Sequence, residues 1–161
     1  MTAFPSGTFF TCGATLVAAE WVATASHGLF NSKGEKTTPN QISVMLGEDY
    51  QDLTETSIRR QFYFDKIIMH PETYQNDIAL LKPSSKADVK THTSVCLPAA
   101  GKSFVWKTGT VYGWGKISPS GLESPKLLLT SVTGFLKILN LPIHQQMVGG
   151  PNRDFAWLRK K

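Results

Sequence analysis

Histidine is the side chain whose ordinary pKa lies closest to neutrality, so proton-transfer chemistry is sought first among the four present. His27 ends the stretch TFFTCGATLVAAEWVATASH at residues 8–27, two β-rich runs with a pause at Ala19-Glu20. At the end of a buried strand it could take a proton from a nucleophile, although a lone histidine is more often structural. A second candidate is residues 47–55 (GEDYQDLTE), a cluster of oxygen ligands that could hold calcium through Glu48 and Glu55. No full EF-hand spacing accompanies it, and a solvated acidic turn is the simpler reading. Cys12 and Cys96 are the only cysteines; a bridge between them is open on count, but their spacing does not call for one. No serine stands in a G-x-S-x-G or G-D-S-G-G context, so the sequence offers no motif-borne nucleophile.

Strands must do the positioning. The two runs in 8–27 separated by a tight turn predict a hairpin. Residues 41–46 (QISVML) alternate as a half-buried strand, 58–69 (IRRQFYFDKIIM) read as one long strand, and 78–81 (IALL) as a buried one. Residues 31–40 and 118–126 are polar, turn-rich loops. In the apolar segment 127–148, Leu128, Val132, Phe135, Leu136 and Leu139 fall at helical spacing. They predict an amphipathic helix that packs on barrel surface, with a membrane-surface role as the lesser alternative.

Three motifs together carry a family resemblance. Phe10-Thr11-Cys12-Gly13-Ala14-Thr15-Leu16-Val17 followed by Trp21-Val22-Ala23-Thr24-Ala25-Ser26-His27-Gly28 resembles the strand pair that delivers the general base in trypsin-like (chymotrypsin-fold, S1) serine proteases. Tyr74-Gln75-Asn76-Asp77-Ile78-Ala79-Leu80-Leu81-Lys82 resembles the family's catalytic-aspartate segment, and Val111-Tyr112-Gly113-Trp114-Gly115 its [VI]-x-G-W-G strand end.

The resemblance covers roughly 8–133 and implies an all-β, chymotrypsin-like antiparallel β-barrel fold. The N-terminal barrel is nearly complete (8–82) but lacks its opening strand. A connector (83–103) leads to a truncated second barrel (104–133), and 134–161 is a tail without family pattern. It also implies His27 as general base and Asp77 as the carboxylate that orients it. His70, in an H-P dipeptide common in the family, has no catalytic role. The nucleophile loop, oxyanion hole and S1 pocket are not recognised; Gly149-Gly150-Pro151 echoes the end of the nucleophile motif, but with Val148 where serine belongs. The family pairs the cysteine at the Cys12 position with one after the histidine, where Gly28 stands, and uses the Cys96 position to tether an upstream chain. Both cysteines therefore lack their family partners.

The expected function is that of a serine endopeptidase acting on protein or peptide substrates, inactive as this chain. The alternatives are a non-catalytic homologue that binds a protein through exposed barrel surface, or a truncated product without a function of its own. The 161 residues suit one domain, and 41% hydrophobic with 18% charged residues is globular composition. No apolar run reaches the ~18 residues of a membrane span, and the N-terminus lacks signal-peptide features. The resemblance nonetheless implies a secreted protein. A net charge of +5 reads as a solubility effect, and the basic tail RDFAWLRKK is too little to predict a nucleic-acid partner. No cofactor is expected.

Overall fold

The structure, a computed structural model, describes residues 9–47, 60–73, 75–104, 106–116, 122–133 and 155–160. They form eight strands joined by turns and loops: β1 (Phe9–Ala18), β2 (Trp21–Thr24), β3 (Ile42–Leu46), β4 (Arg60–Met69), β5 (Ala79–Pro83), β6 (Thr108–Gly113), β7 (Leu128–Thr133) and β8 (Phe155–Lys160). Among the described residues the helical structure is two short 3-10 turns, Ser26–Leu29 and Pro39–Gln41.

Six strands close an antiparallel barrel in the order β1-β2-β5-β4-β3-β8. The fold is thus all-β, as the sequence implies, and its periodicity explains why. Alternate residues Ala14 and Leu16, Val22 and Thr24, Ile42, Val44 and Leu46, Phe62 and Phe64, and Ala79 and Leu81 are all buried. Burying a side chain such as Leu81, which is fully enclosed, contributes about 1.5–3 kcal/mol.

The barrel is closed by a strand from outside the stretch that carries the resemblance. β8 pairs with β1 on one side and with β3 on the other, so the tail contributes a strand to the barrel. Three local readings also change. β3 is buried at every position rather than half-buried, and the Gln61 side-chain amide donates to the Ser43 hydroxyl at 2.9 Å on its polar side. In the apolar run 78–81 only one face is covered: Ile78 and Leu80 are 50% and 37% exposed. The helix expected from residue 127 onward is instead β7 over Leu128–Thr133, paired antiparallel with β6 in a two-stranded sheet. Cross-strand hydrogen bonding and the β-formers Thr130, Val132 and Thr133 outweigh the helical spacing there. Phe135, Leu136 and Leu139 lie outside the described residues.

The segment after β5 straps back over the hairpin. Ala87 N–H donates to the Ala19 carbonyl at 2.8 Å, and Val95 N–H to the Leu16 carbonyl at 2.9 Å. Between these ties His92 is 1% exposed and meets Phe62 edge-on, with ring centroids 6.3 Å apart. Burial holds its pKa below the ordinary value, with the Arg60 charge acting in the same direction and Asp88 opposing it. The folded chain therefore binds this proton less readily than the unfolded chain, so its neutral form favours folding above the unfolded pKa near 6.5. We expect that part of the stability to be lost as pH falls through 6.5 toward the lower folded value. Urea midpoints between pH 7.5 and 5 should fall for the unaltered chain and fall less for His92→Phe.

Candidate functional site

Register brings the site together. β2 and β5 run antiparallel with Val22 opposite Leu81, Ala23 opposite Leu80 and Thr24 opposite Ala79. Continued past the strand ends, that pairing sets Ser26 against Asp77, one residue from His27. The chain on each side then turns so that the two side chains meet. After β2 it tightens into the 3-10 turn Ser26–Leu29, with Gly28 N–H donating to the Ala25 carbonyl at 3.3 Å. Before β5 the loop is closed by His70 N–H donating to the Ile78 carbonyl at 3.1 Å. His70 itself accepts from Glu72 N–H at its Nδ1, a loop-bracing role in keeping with its exclusion from the chemistry.

Asp77 holds His27 at two points. Its Oδ1 accepts the His27 backbone N–H at 2.8 Å, and its Oδ2 lies 2.5 Å from the ring Nδ1. A carboxylate is an acceptor, so this contact favours the imidazole tautomer with the proton on Nδ1 and leaves Nε2 with a lone pair. The histidine side chain is 39% exposed and that of the aspartate 24%, so the pair sits at the surface with the carboxylate deeper. Such an arrangement can accept a proton at Nε2 and stabilise the resulting cation through Oδ2.

The platform beneath the pair was less legible in the sequence. Thr24 Oγ1 donates to the Gly13 carbonyl at 2.9 Å, tying β2 to β1 directly below the turn that carries His27. Ser26 is fully buried and its hydroxyl has no hydrogen-bond partner, so the serine next to His27 is not presented to solvent. A polar side chain inside an apolar strand run, as in W-V-A-T-A, is the signal that could have singled out Thr24.

Cys12 and Cys96 are both free thiols in the structure, with no bridge between them. Cys12 is partly buried, and a Cβ built on Gly28 would lie 2.7 Å from the Cys12 Cβ and 3.1 Å from its Sγ. Cys12 thus stands against Gly28, the position where the resemblance expects its partner. Burial pushes the Cys12 thiol above its ordinary pKa, against the opposing influence of Thr24 and the Ala25 backbone, so it is a poor nucleophile. Cys96 is exposed. Glu48 and Glu55 lie outside the described residues; among those described, no three His, Cys, Asp or Glu side chains gather as a metal site. No helix among them is long and apolar enough to cross a membrane. A cleft of 340 Å³ lined in part by Lys36, Thr37, Asp65 and Lys66 shares no residue with the His27–Asp77 pair.

Comparison with known proteins shows what this chain is similar to. The sequence model described as Trypsin matches residues 1–137. A venom serine protease of Polistes dominula is 31% identical over 122 residues, covering 72% of this chain and 43% of that protein. Venom serine protease 34 of Apis mellifera is 35% identical over 135 residues, 75% of this chain and 32% of its own length. Serine protease SSP1 of Scolopendra subspinipes is 28% identical over 137 residues, 82% and 47% respectively. The chain therefore spans less than half the length of these curated relatives.

The Cys12–Gly28 geometry makes a direct prediction. Gly28→Cys should oxidise with Cys12 after a backbone adjustment of roughly 1 Å, since paired Cβ atoms prefer ~3.8 Å. Closing a loop of about 15 residues is worth up to ~3 kcal/mol, less the strain of that shift. The oxidised variant should melt above its reduced form, while Gly28→Ala, which adds the close Cβ without the bond, should melt below the unaltered chain.

Proposed function

The chain belongs to the trypsin family, and from that premise we propose that it carries the base-and-carboxylate part of a serine endopeptidase site but does not by itself hydrolyse peptide bonds. On this reading His27 is the general base and Asp77 fixes its tautomer and stabilises the imidazolium. The observation that carries the reading is the two-point attachment of Asp77 to the His27 backbone and ring. β6 and β7 are then the start of a second barrel, reached through the segment that straps the hairpin. Proteins or peptides are the substrate class of the parent activity, and an extracellular setting fits the two venom proteases among the relatives.

Inactivity follows from chemistry that needs more than a base. General base catalysis contributes about 10²–10⁴-fold, and only when a nucleophile shares the proton. None of the serines stands in a nucleophile motif, and Ser26, next to the base, is buried. The backbone amides of the family's nucleophile loop also supply the oxyanion hole, worth roughly 2.7–4 kcal/mol per donor.

A second reading, a non-catalytic homologue that binds protein, draws support from one surface feature. Ile68 and Leu80 are register partners on β4 and β5, both partly exposed, with Ile78 exposed beside Asp77. Apolar groups clustered on a sheet face favour protein contact.

A fluorophosphonate probe separates activity from its absence whatever the substrate preference. We expect no labelling of the purified 161-residue chain under conditions that label trypsin. Labelling that vanishes in His27→Ala would establish a working serine and overturn the proposal of inactivity.

A further inference from the structure

Without β8, the strands β1 to β5 form a curled sheet whose two free edges are β1 and β3. Such edges carry a row of unpaired backbone donors and acceptors, and a single extended segment between them satisfies both rows at once. In this chain the segment is β8, which lies outside the residues 1–137 that match the family. Its pairing is specific in register. Ala156 stands opposite Ala14, Leu158 opposite both Cys12 and Val44, and Trp157 opposite Gly13 and Met45. Ala14 and Val44 are core members at 1% and 0% exposure. The alternating pattern small–aromatic–leucine is thus set against a small core residue, a glycine and a branched core residue.

We propose that the slot between β1 and β3 is a strand-binding site, and that residues 155–160 are its ligand in cis. The slot takes an extended peptide running antiparallel to both neighbours. It selects by register: a small residue opposite Ala14, then leucine two positions on, opposite Cys12 and Val44. The tail is held there by its covalent linkage, which gives it an effective concentration of order mM. This inference does not depend on the His27–Asp77 chemistry.

Cys12 is a native reporter for the register. In a Cys96→Ser background, Leu158→Cys should form a disulfide with Cys12 within a monomer, mapped by mass spectrometry. Trp157→Cys, opposite Gly13, should do so roughly tenfold more slowly because its position is out of register with Cys12. Equal rates, or disulfide-linked dimers as the sole product, would overturn the assignment of the tail to this slot in cis. Peptide binding gives an independent reading. A fluorescent peptide of residues 153–161 should bind a full-length Leu158→Pro chain at least about tenfold more tightly than the unaltered chain, whose slot is occupied. A scrambled peptide should bind neither. Equal affinity for both chains, or equal binding of the scrambled peptide, would refute a strand-binding slot.

Discussion

The antiparallel register between β2 and β5 is the constraint on which the site depends. Because side chains alternate with a period of two, slipping this pairing by one residue would turn the buried Val22 and Leu81 outward. The core therefore fixes the register, and the register delivers His27 and Asp77 to the same end of the sheet. Fifty residues of sequence separate them, yet the distance is bridged by the three residue pairs of one strand pairing. Packing energy spent on the barrel interior is in this sense also what orients the imidazole.

The ground beneath His27 departs from the family pattern at Gly28, where the resemblance expects a cysteine. Cys12 packs against the core beside Gly28, and the hairpin there is tied by the Thr24–Gly13 hydrogen bond and by contacts, with no covalent bridge between Cys12 and Cys96. The strap through Ala87, His92 and Val95 adds a second hold on the same hairpin from outside. Barrel closure supplies the rest, since β1 and β3 both end in partners rather than in solvent.

Much of this was legible in the sequence, and the exceptions have physical causes. The hairpin at 8–27, the long strand before His70 and the meeting of His27 with Asp77 were readable because motif order and strand periodicity agreed there. β8 was not, because FAWLRK lies outside any family pattern and a six-residue strand has too little periodicity to declare its partners. The apparent helix at 127 failed because spacing of apolar residues says nothing of the neighbouring strand that β7 finds in β6. Ile78 and Leu80 looked buried because a run of apolar residues reveals hydrophobicity, not which face another element covers.

The central claim is that Asp77 fixes His27 with the proton on Nδ1 and a lone pair on Nε2. The most direct test is the ring ¹⁵N spectrum of His27 in the intact chain at a pH where the imidazole is neutral. The account predicts a protonated Nδ1 and an unprotonated Nε2, with that preference lost in Asp77→Ala. A proton on Nε2, or a tautomer ratio unchanged by Asp77→Ala, would contradict it.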